Sequence, residues 1–193
     1  MWSSPITWAV IFMGLIFAFA VGTQSRGGSA LPETAPFELV EATGSGETVN
    51  EDDLQGKVSL LYFGFMYCPD VCPTSLRSIA DALTLLEGDA EHVQAWFITV
   101  DPERDTPEAL REFMPMVDDR IRAFTGDTAQ LSSAKEAFAI VAERTYPAQN
   151  PEHYLYNHTS STMLVDQNGR LIRRIPYGTQ AQAIADAVRS LLP

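Results

Sequence analysis

The chain predicts an α/β fold, a three-layer α/β/α sandwich with an N-terminal hairpin and an inserted strand-helix unit. Three observations predict it. Two nearly unbroken apolar runs, residues 57–66 (KVSLLYFGFM) and 93–100 (VQAWFITV), have the length and composition of strands buried on both faces. Between them the period changes: Leu76, Ile79, Ala80, Leu83 and Leu86 fall on one helical face. Near the C-terminus, residues 160–166 and 171–175 flank Asn168-Gly169, a strong hairpin signal.

The elements follow in order. Residues 37–40 (FELV) suit a short strand, Gly44-Ser45-Gly46 a turn, and Thr48-Val49 the start of a return strand. The apolar run 57–66 comes next, bounded by Gly56 and by Cys68-Pro69, and the first helix begins after Pro73. Asp101-Pro102 stops the strand at 93–100. A second helix starts with Thr106 as N-cap, Pro107 at the first helical position and Glu108 near the positive helix end. Residues 121–124 form a short strand. Asp127 with Gln130 makes a capping box, and Leu131, Ala134, Phe138 and Val141 mark a third helix. Residues 145–157, with Tyr146, Tyr154 and Tyr156, are expected to be an irregular loop. Ile184, Val188 and Leu191 share one face of a final helix. Without the inserted strand and helix the order is β-α-β-α-β-β-α, that of the thioredoxin fold.

The 193 residues are 46% hydrophobic, enough for a core, and carry a formal net charge of -12. A polyanion without a Lys/Arg cluster repels nucleic acid and anionic headgroups, which excludes nucleic acid as a partner. The N-terminus differs. Residues 5–22 carry no charge, close to the ~20 residues that span a bilayer core, and Trp2 and Trp8 suit its interfaces. Residues 1–24 therefore read as an N-terminal membrane anchor or uncleaved signal-like helix. A cleaved signal peptide ending near Ala18-Phe19-Ala20 and a buried core helix are the alternatives; the absence of Lys and Arg before the apolar run disfavours cleavage. Residues 25–36, rich in Gly, Ser and Pro, form a flexible linker, and 37–193 the folded domain. Anchor and signal alike send that domain across a membrane, to the periplasmic or topologically equivalent side.

The chain has two cysteines, Cys68 and Cys72, both in residues 63–73 (FGFMYCPDVCP). They follow the most buried strand and precede a helix, whose N-terminal partial charge favours thiolate over thiol. Positions i and i+4 share a helical face, so both sulfurs can converge on one point, or close a disulfide if the loop bends. Oxidising surroundings make the disulfide form expected part of the time. A permanent staple over so short a loop would restrict the unfolded chain little. A metal site needs a third ligand from His92, His153 and His158. In a thioredoxin fold the strand at 160–166 runs antiparallel to the central strand, so the loop leading into it faces the cysteines. That loop carries His158, 86 residues beyond Cys72. His92 lies at the far end of its helix, and His153 is the weaker candidate in the same loop as His158. Two thiolates and one imidazole are an incomplete set for structural zinc. They suit Cu(I), or Cu(II) with an added oxygen donor or water, so copper is the expected metal. The same cysteines form a redox pair, which keeps a thiol–disulfide oxidoreductase open. A peroxidase is disfavoured, because FGFMYC lacks the Pro and Thr that usually precede a peroxiredoxin nucleophile.

Residues 62–76 (YFGFMYCPDVCPTSL), 98–110 (ITVDPERDTPEAL) and 157–171 (NHTSSTMLVDQNGRL) together resemble the Sco/SenC family of membrane-anchored copper proteins. The likeness covers 37–193. The resemblance implies copper binding through Cys68, Cys72 and His158. It implies delivery of copper to the dinuclear copper site of cytochrome c oxidase during assembly, or reduction of that site's cysteines before loading. The implied partners are the oxidase subunit carrying that site, other copper chaperones or thioredoxin-like reductants, and the membrane through the N-terminal helix. Many relatives carry Asp directly before the histidine; here it is Asn157, which changes the field beside the site. Asp101, Arg104 and Asp105 match the family motif and are expected to shape the loop after the second buried strand. Asp70, between the cysteines, is expected to be a turn or cap former rather than a tuning group.

Overall fold

The computed structural model describes residues 34–148 and 153–192; the expected anchor and most of the linker lie outside the described residues. Among the described residues no helix is long and apolar enough to cross a membrane. β1 (Glu38–Glu41) and β2 (Thr48–Asn50) form the N-terminal hairpin. β3 (Val58–Gly64) and β4 (Val93–Thr99) are parallel and are joined through α1 (Val71–Leu86). α2 (Pro107–Val117), β5 (Ile121–Thr125) and α3 (Thr128–Ala137) follow, with β5 parallel to β4. β6 (Ala142–Thr145) and β7 (Leu155–His158) pair with each other in a separate two-stranded sheet. β8 (Thr162–Val165), β9 (Leu171–Ile175) and α4 (Ala181–Arg189) close the domain.

The large sheet has the order β2-β1-β5-β4-β3-β8-β9. Its β4-β3-β8-β9 portion, with α1, α2 and α4, is the thioredoxin-like unit. The inserted β5 extends that unit at the β4 edge and lets the N-terminal hairpin join the same sheet through β1. β3 is buried at every position because it has β4 on one side and β8 on the other, with side chains covered on both faces. Leu60, Leu61, Tyr62 and Phe63 are wholly buried. Burying a large apolar side chain contributes ~1.5–3 kcal/mol, so β3 is the anchor of the core.

Local signals decide the helix ends. The Thr106 hydroxyl accepts from the Ala109 N–H with Pro107 directly after it, and Asp127 and Gln130 exchange both bonds of a capping box. At the β8–β9 turn the Asp166 carboxylate accepts from the Asn168 and Arg170 N–H groups, and Gly169 takes a φ of +75°, which a side chain would strain.

Four expectations are corrected. α1 begins at Val71, ahead of Pro73, whose missing N–H costs nothing in a first turn that has no partner for it. Cys72 is therefore already helical. α3 stops at Ala137: Ala139 turns the chain at φ +47°, and Val141 is exposed rather than on the helical face. Leu191 lies past the end of α4. The stretch expected as irregular loop, 145–157, contains the end of β6 and all of β7 except His158.

Candidate metal centre

The site forms where β3 hands over to α1. Gly64 ends the strand, and a Cβ there would stand 3.0 Å from the Cys72 sulfur and 2.9 Å from Tyr62 Cε1. Only a residue without a side chain lets the helix start this close to the sheet. Cys72 is buried and Cys68 half-buried. The Cys72 N–H donates to the Cys68 Sγ at 3.3 Å, so the first turn of α1 aims a backbone dipole at the outer sulfur.

His158 ends β7 and stands opposite Ala142, a small neighbour that leaves room for the ring. Four residues later β8 begins, with Thr162 opposite Tyr62 on the antiparallel β3. The chain must therefore pass the C-terminal end of β3, which brings the imidazole to the cysteines. His158 Nε2 lies 3.4 Å from Cys72 Sγ. The three donor atoms of Cys68, Cys72 and His158 all lie within 4.8 Å of one another, the one such group among the described residues. His92 and His153 are exposed and outside it.

The ring's tautomer follows from its second contact. His158 Nδ1 is 3.0 Å from the Thr159 carbonyl, which can only accept, so the proton sits on Nδ1 and Nε2 turns its lone pair to Cys72. Phe65 and Tyr62 hold the ring edge-on, at 5.7 and 6.2 Å between centroids. Burial holds the imidazole below its ordinary value, with the Thr159 carbonyl pulling the other way, so the ring is neutral. Burial also pushes the Cys72 thiol up to about 12, against the Phe65 backbone N–H. The expected helix-end preference for thiolate thus does not prevail at Cys72, because desolvation outweighs it. Both cysteines are free thiols, and the Cys72 S–H is poised to donate to Nε2.

Residues 101–105 tie the two halves of the site together, which sequence reasoning did not foresee beyond a loop-shaping role. Asp105 is wholly buried and accepts from the Met66 N–H at 3.1 Å and the Thr99 hydroxyl at 2.7 Å. It fixes the segment leading into Cys68. Asp101, also wholly buried, accepts from Arg104 and from the Tyr154 hydroxyl at 2.9 Å. Arg104 lies between Tyr154 of the β6–β7 hairpin and Tyr67 of the cysteine loop, 3.8 and 4.9 Å from their ring centroids. Arg144 extends the stack by pairing with Glu103 and lying 4.4 Å from the Tyr154 ring. The available signal was Arg144 followed by Tyr154 and Tyr156 at strand spacing, a cation able to face aromatics across a hairpin.

Two further expectations resolve differently. Asp70 occupies the N-cap position of α1, but its exposed side chain makes no bond to the helix N–H groups and accepts at 3.5 Å from the Thr74 hydroxyl. Asn157 is exposed and stands opposite Glu143, one residue out of phase with His158.

The chain is similar to known proteins in sequence and in fold. The SCO2-like protein RP587 of Rickettsia prowazekii is 36% identical over 155 residues, covering 80% of this chain and 75% of that protein. The structure of Bradyrhizobium japonicum ScoI with copper bound aligns at a TM-score of 0.75 and 32% identity, covering 83% of this chain and 100% of that one. BsSco, described as a member of the Sco family of cytochrome c oxidase assembly proteins, shares the fold at a TM-score of 0.64 and 22% identity, over 88% and 98% of the two chains. A family model described as SCO1/SenC matches residues 26–193, and with it the chain belongs to the SCO1/SenC family.

Proposed function

We propose that this protein is a copper metallochaperone that delivers copper to the dinuclear copper site of cytochrome c oxidase during its assembly. The observation that carries the reading is the convergence of two sulfurs and one neutral imidazole nitrogen within 4.8 Å. Donors ~2.0–2.3 Å from one ion in a trigonal array stand roughly 3.7 Å apart, close to the 3.4 Å between Cys72 Sγ and His158 Nε2. Soft sulfur donors select copper(I), and a fourth oxygen ligand would extend the set to copper(II). Copper is here the cargo. Loading displaces the Cys72 proton, since a metal takes thiolate. Cys68, the less buried sulfur, is the ligand an incoming thiolate reaches first, which suits handover by ligand exchange. Copper-bound relatives and the oxidase-assembly role of the Sco family support cargo and destination. Residues 1–24 would hold the domain at the membrane that contains its target.

A thiol–disulfide reductase acting on the cysteines of that same copper site is the second reading. It is favoured by the two free thiols, whose sulfurs lie within 4.8 Å of each other.

The test is titration of the reduced full chain with Cu(I) and Cu(II), beside Cys72→Ser and His158→Ala. One copper per wild-type chain, with strong weakening in both variants, is expected. Full affinity in His158→Ala would show that the imidazole is no ligand. If the wild type reduces an oxidised oxidase copper subunit without passing copper to it, the reductase reading replaces the first.

A further inference from the structure

Tyr62 lies in the middle of the core, wholly buried in β3, yet its hydroxyl has no hydrogen-bond partner among the described residues. Buried hydroxyls are nearly always paired, so an unpaired one calls for a use. Its neighbours point to that use. The Tyr62 ring stands edge-on to His158, 6.2 Å between centroids. The space a Gly64 side chain would fill is bordered at once by Tyr62 Cε1, at 2.9 Å, and by Cys72 Sγ, at 3.0 Å. Burial first, and the neighbouring Cys72 sulfur after it, hold the phenol proton on well above its ordinary range, with Ser75 pulling the other way. Neither Cys72 nor Ser75 meets hydrogen-bond geometry with it in the dithiol form, and the buried Ser75 hydroxyl is unpaired as well. A neutral thiol sulfur is a weak acceptor, and the Cys72 proton is directed at His158. A negatively charged sulfur is a strong acceptor.

We infer that the Tyr62 hydroxyl is a donor held in reserve for the Cys72 sulfur in its metal-bound state, where it tunes the strength of that ligand. The inference rests on the copper reading. A hydrogen bond to a ligating sulfur withdraws electron density from it, which raises the energy of sulfur-to-Cu(II) charge transfer and favours Cu(I) over Cu(II). In the apoprotein the same hydroxyl is a cost without a return. Its removal should therefore alter the copper-bound state without weakening the apoprotein, a combination that a purely structural hydrogen bond would not produce.

Tyr62→Phe deletes one oxygen and keeps the ring. The full chain and this variant are compared by unfolding of the apoprotein, by absorption of the Cu(II) form and by the Cu(II)/Cu(I) potential. The expected result is an apo unfolding midpoint unchanged or raised, a charge-transfer band moved to longer wavelength, and a lower potential. A band and potential that do not move overturn the inference. So does a lowered apo midpoint, because the hydroxyl then serves the fold through Ser75. A wild type that takes up no copper overturns the metal reading and this inference with it, whereas a wild type that loads normally beside an unaltered variant overturns the role of Tyr62 alone.

Discussion

Arg104 holds Tyr154, 50 residues away, by two contacts at once: it donates to the Tyr154 carbonyl at 3.0 Å, and its guanidinium lies 3.8 Å from the ring centroid. The same side chain lies against Tyr67, next to Cys68, and pairs with the buried Asp101. Three segments far apart in sequence meet on one cation, and two of them carry the cysteines and His158.

Arg104→Gln is therefore expected to loosen the hairpin that presents His158. Removing one partner of a buried pair leaves Asp101 uncompensated, with a stability loss of about 3 kcal/mol. Copper affinity should fall by ~10–100-fold, as for other outer partners of a ligand. Arg104→Lys restores a charge beside Asp101 but neither the planar stack nor the forked donor, so it should recover stability more than affinity. Denaturant unfolding and a competition titration with a Cu(I) chelator separate the two. A folded Arg104→Gln with wild-type affinity would refute the positioning role.

The core was legible in the sequence because its elements carry their own signals. Residues 57–66 are a nearly unbroken apolar run, Thr106-Pro107 and Asp127 mark helix starts, and Asn168-Gly169 marks a turn. His158 could be placed because an antiparallel strand must begin where its neighbour ends. The β6–β7 hairpin was not legible. Glu143, Arg144 and Thr145 are exposed and show no alternation, since this pair packs through cation–aromatic contacts rather than an apolar face. The partners of Arg104, Asp101 and Asp105 were hidden for a similar reason: a motif shows that a loop is built, not which distant segments it grips.

Gly64→Ala should injure the site more than the fold around it. The new methyl group would press on the Cys72 sulfur and on the Tyr62 and Phe97 rings at 2.9–3.0 Å. Overpacking of this kind costs ~1–3 kcal/mol. The sulfur sits on the first turn of α1 and has the most freedom to yield, so the displacement should appear there. The expected signature is a modest drop in apo stability with a disproportionate loss of Cu(I) affinity. Proportionate losses would mean that the whole strand–helix junction, not the sulfur, absorbs the strain.

Asp105 adds a pH dependence. Burial, opposed by the Thr99 and Met66 hydrogen bonds, pushes its carboxyl from the usual 3.8 up to about 6. The folded state therefore keeps a proton that the unfolded chain releases between those values. The resulting stabilisation is fully present below 3.8 and is lost as pH rises through about 6, on the order of 3 kcal/mol across the interval. Asp105→Asn cannot titrate, so the stability of wild type relative to this variant should fall as pH rises from 4 to 6.5. Denaturant melts of both proteins at half-unit steps measure that difference. A constant difference would show that the carboxyl titrates alike folded and unfolded.

Asn157 departs from the Asp that the family resemblance leads one to expect, and the hairpin supplies a physical reason for the amide. Asn157 stands directly across from Glu143, and both are exposed on the face of β7 turned away from the His158 ring. Aspartate there would set two like charges opposite each other, a penalty within the ~0.2–1 kcal/mol that such cross-strand pairs carry. It would act on the hairpin and, through solvent, little on copper. Asn157→Asp should therefore lower thermal stability slightly, more at low ionic strength than at high, because salt screens exposed charges. Copper affinity should stay within about twofold of wild type, the scale of an exposed charge interaction of a few tenths of a kcal/mol. Restoring neutrality across the pair with Glu143→Gln in the Asn157→Asp background should return the stability. If Asn157→Asp instead changes the copper absorption spectrum, the carboxylate reaches the site, and the phase of β7 would have to differ once the metal is bound.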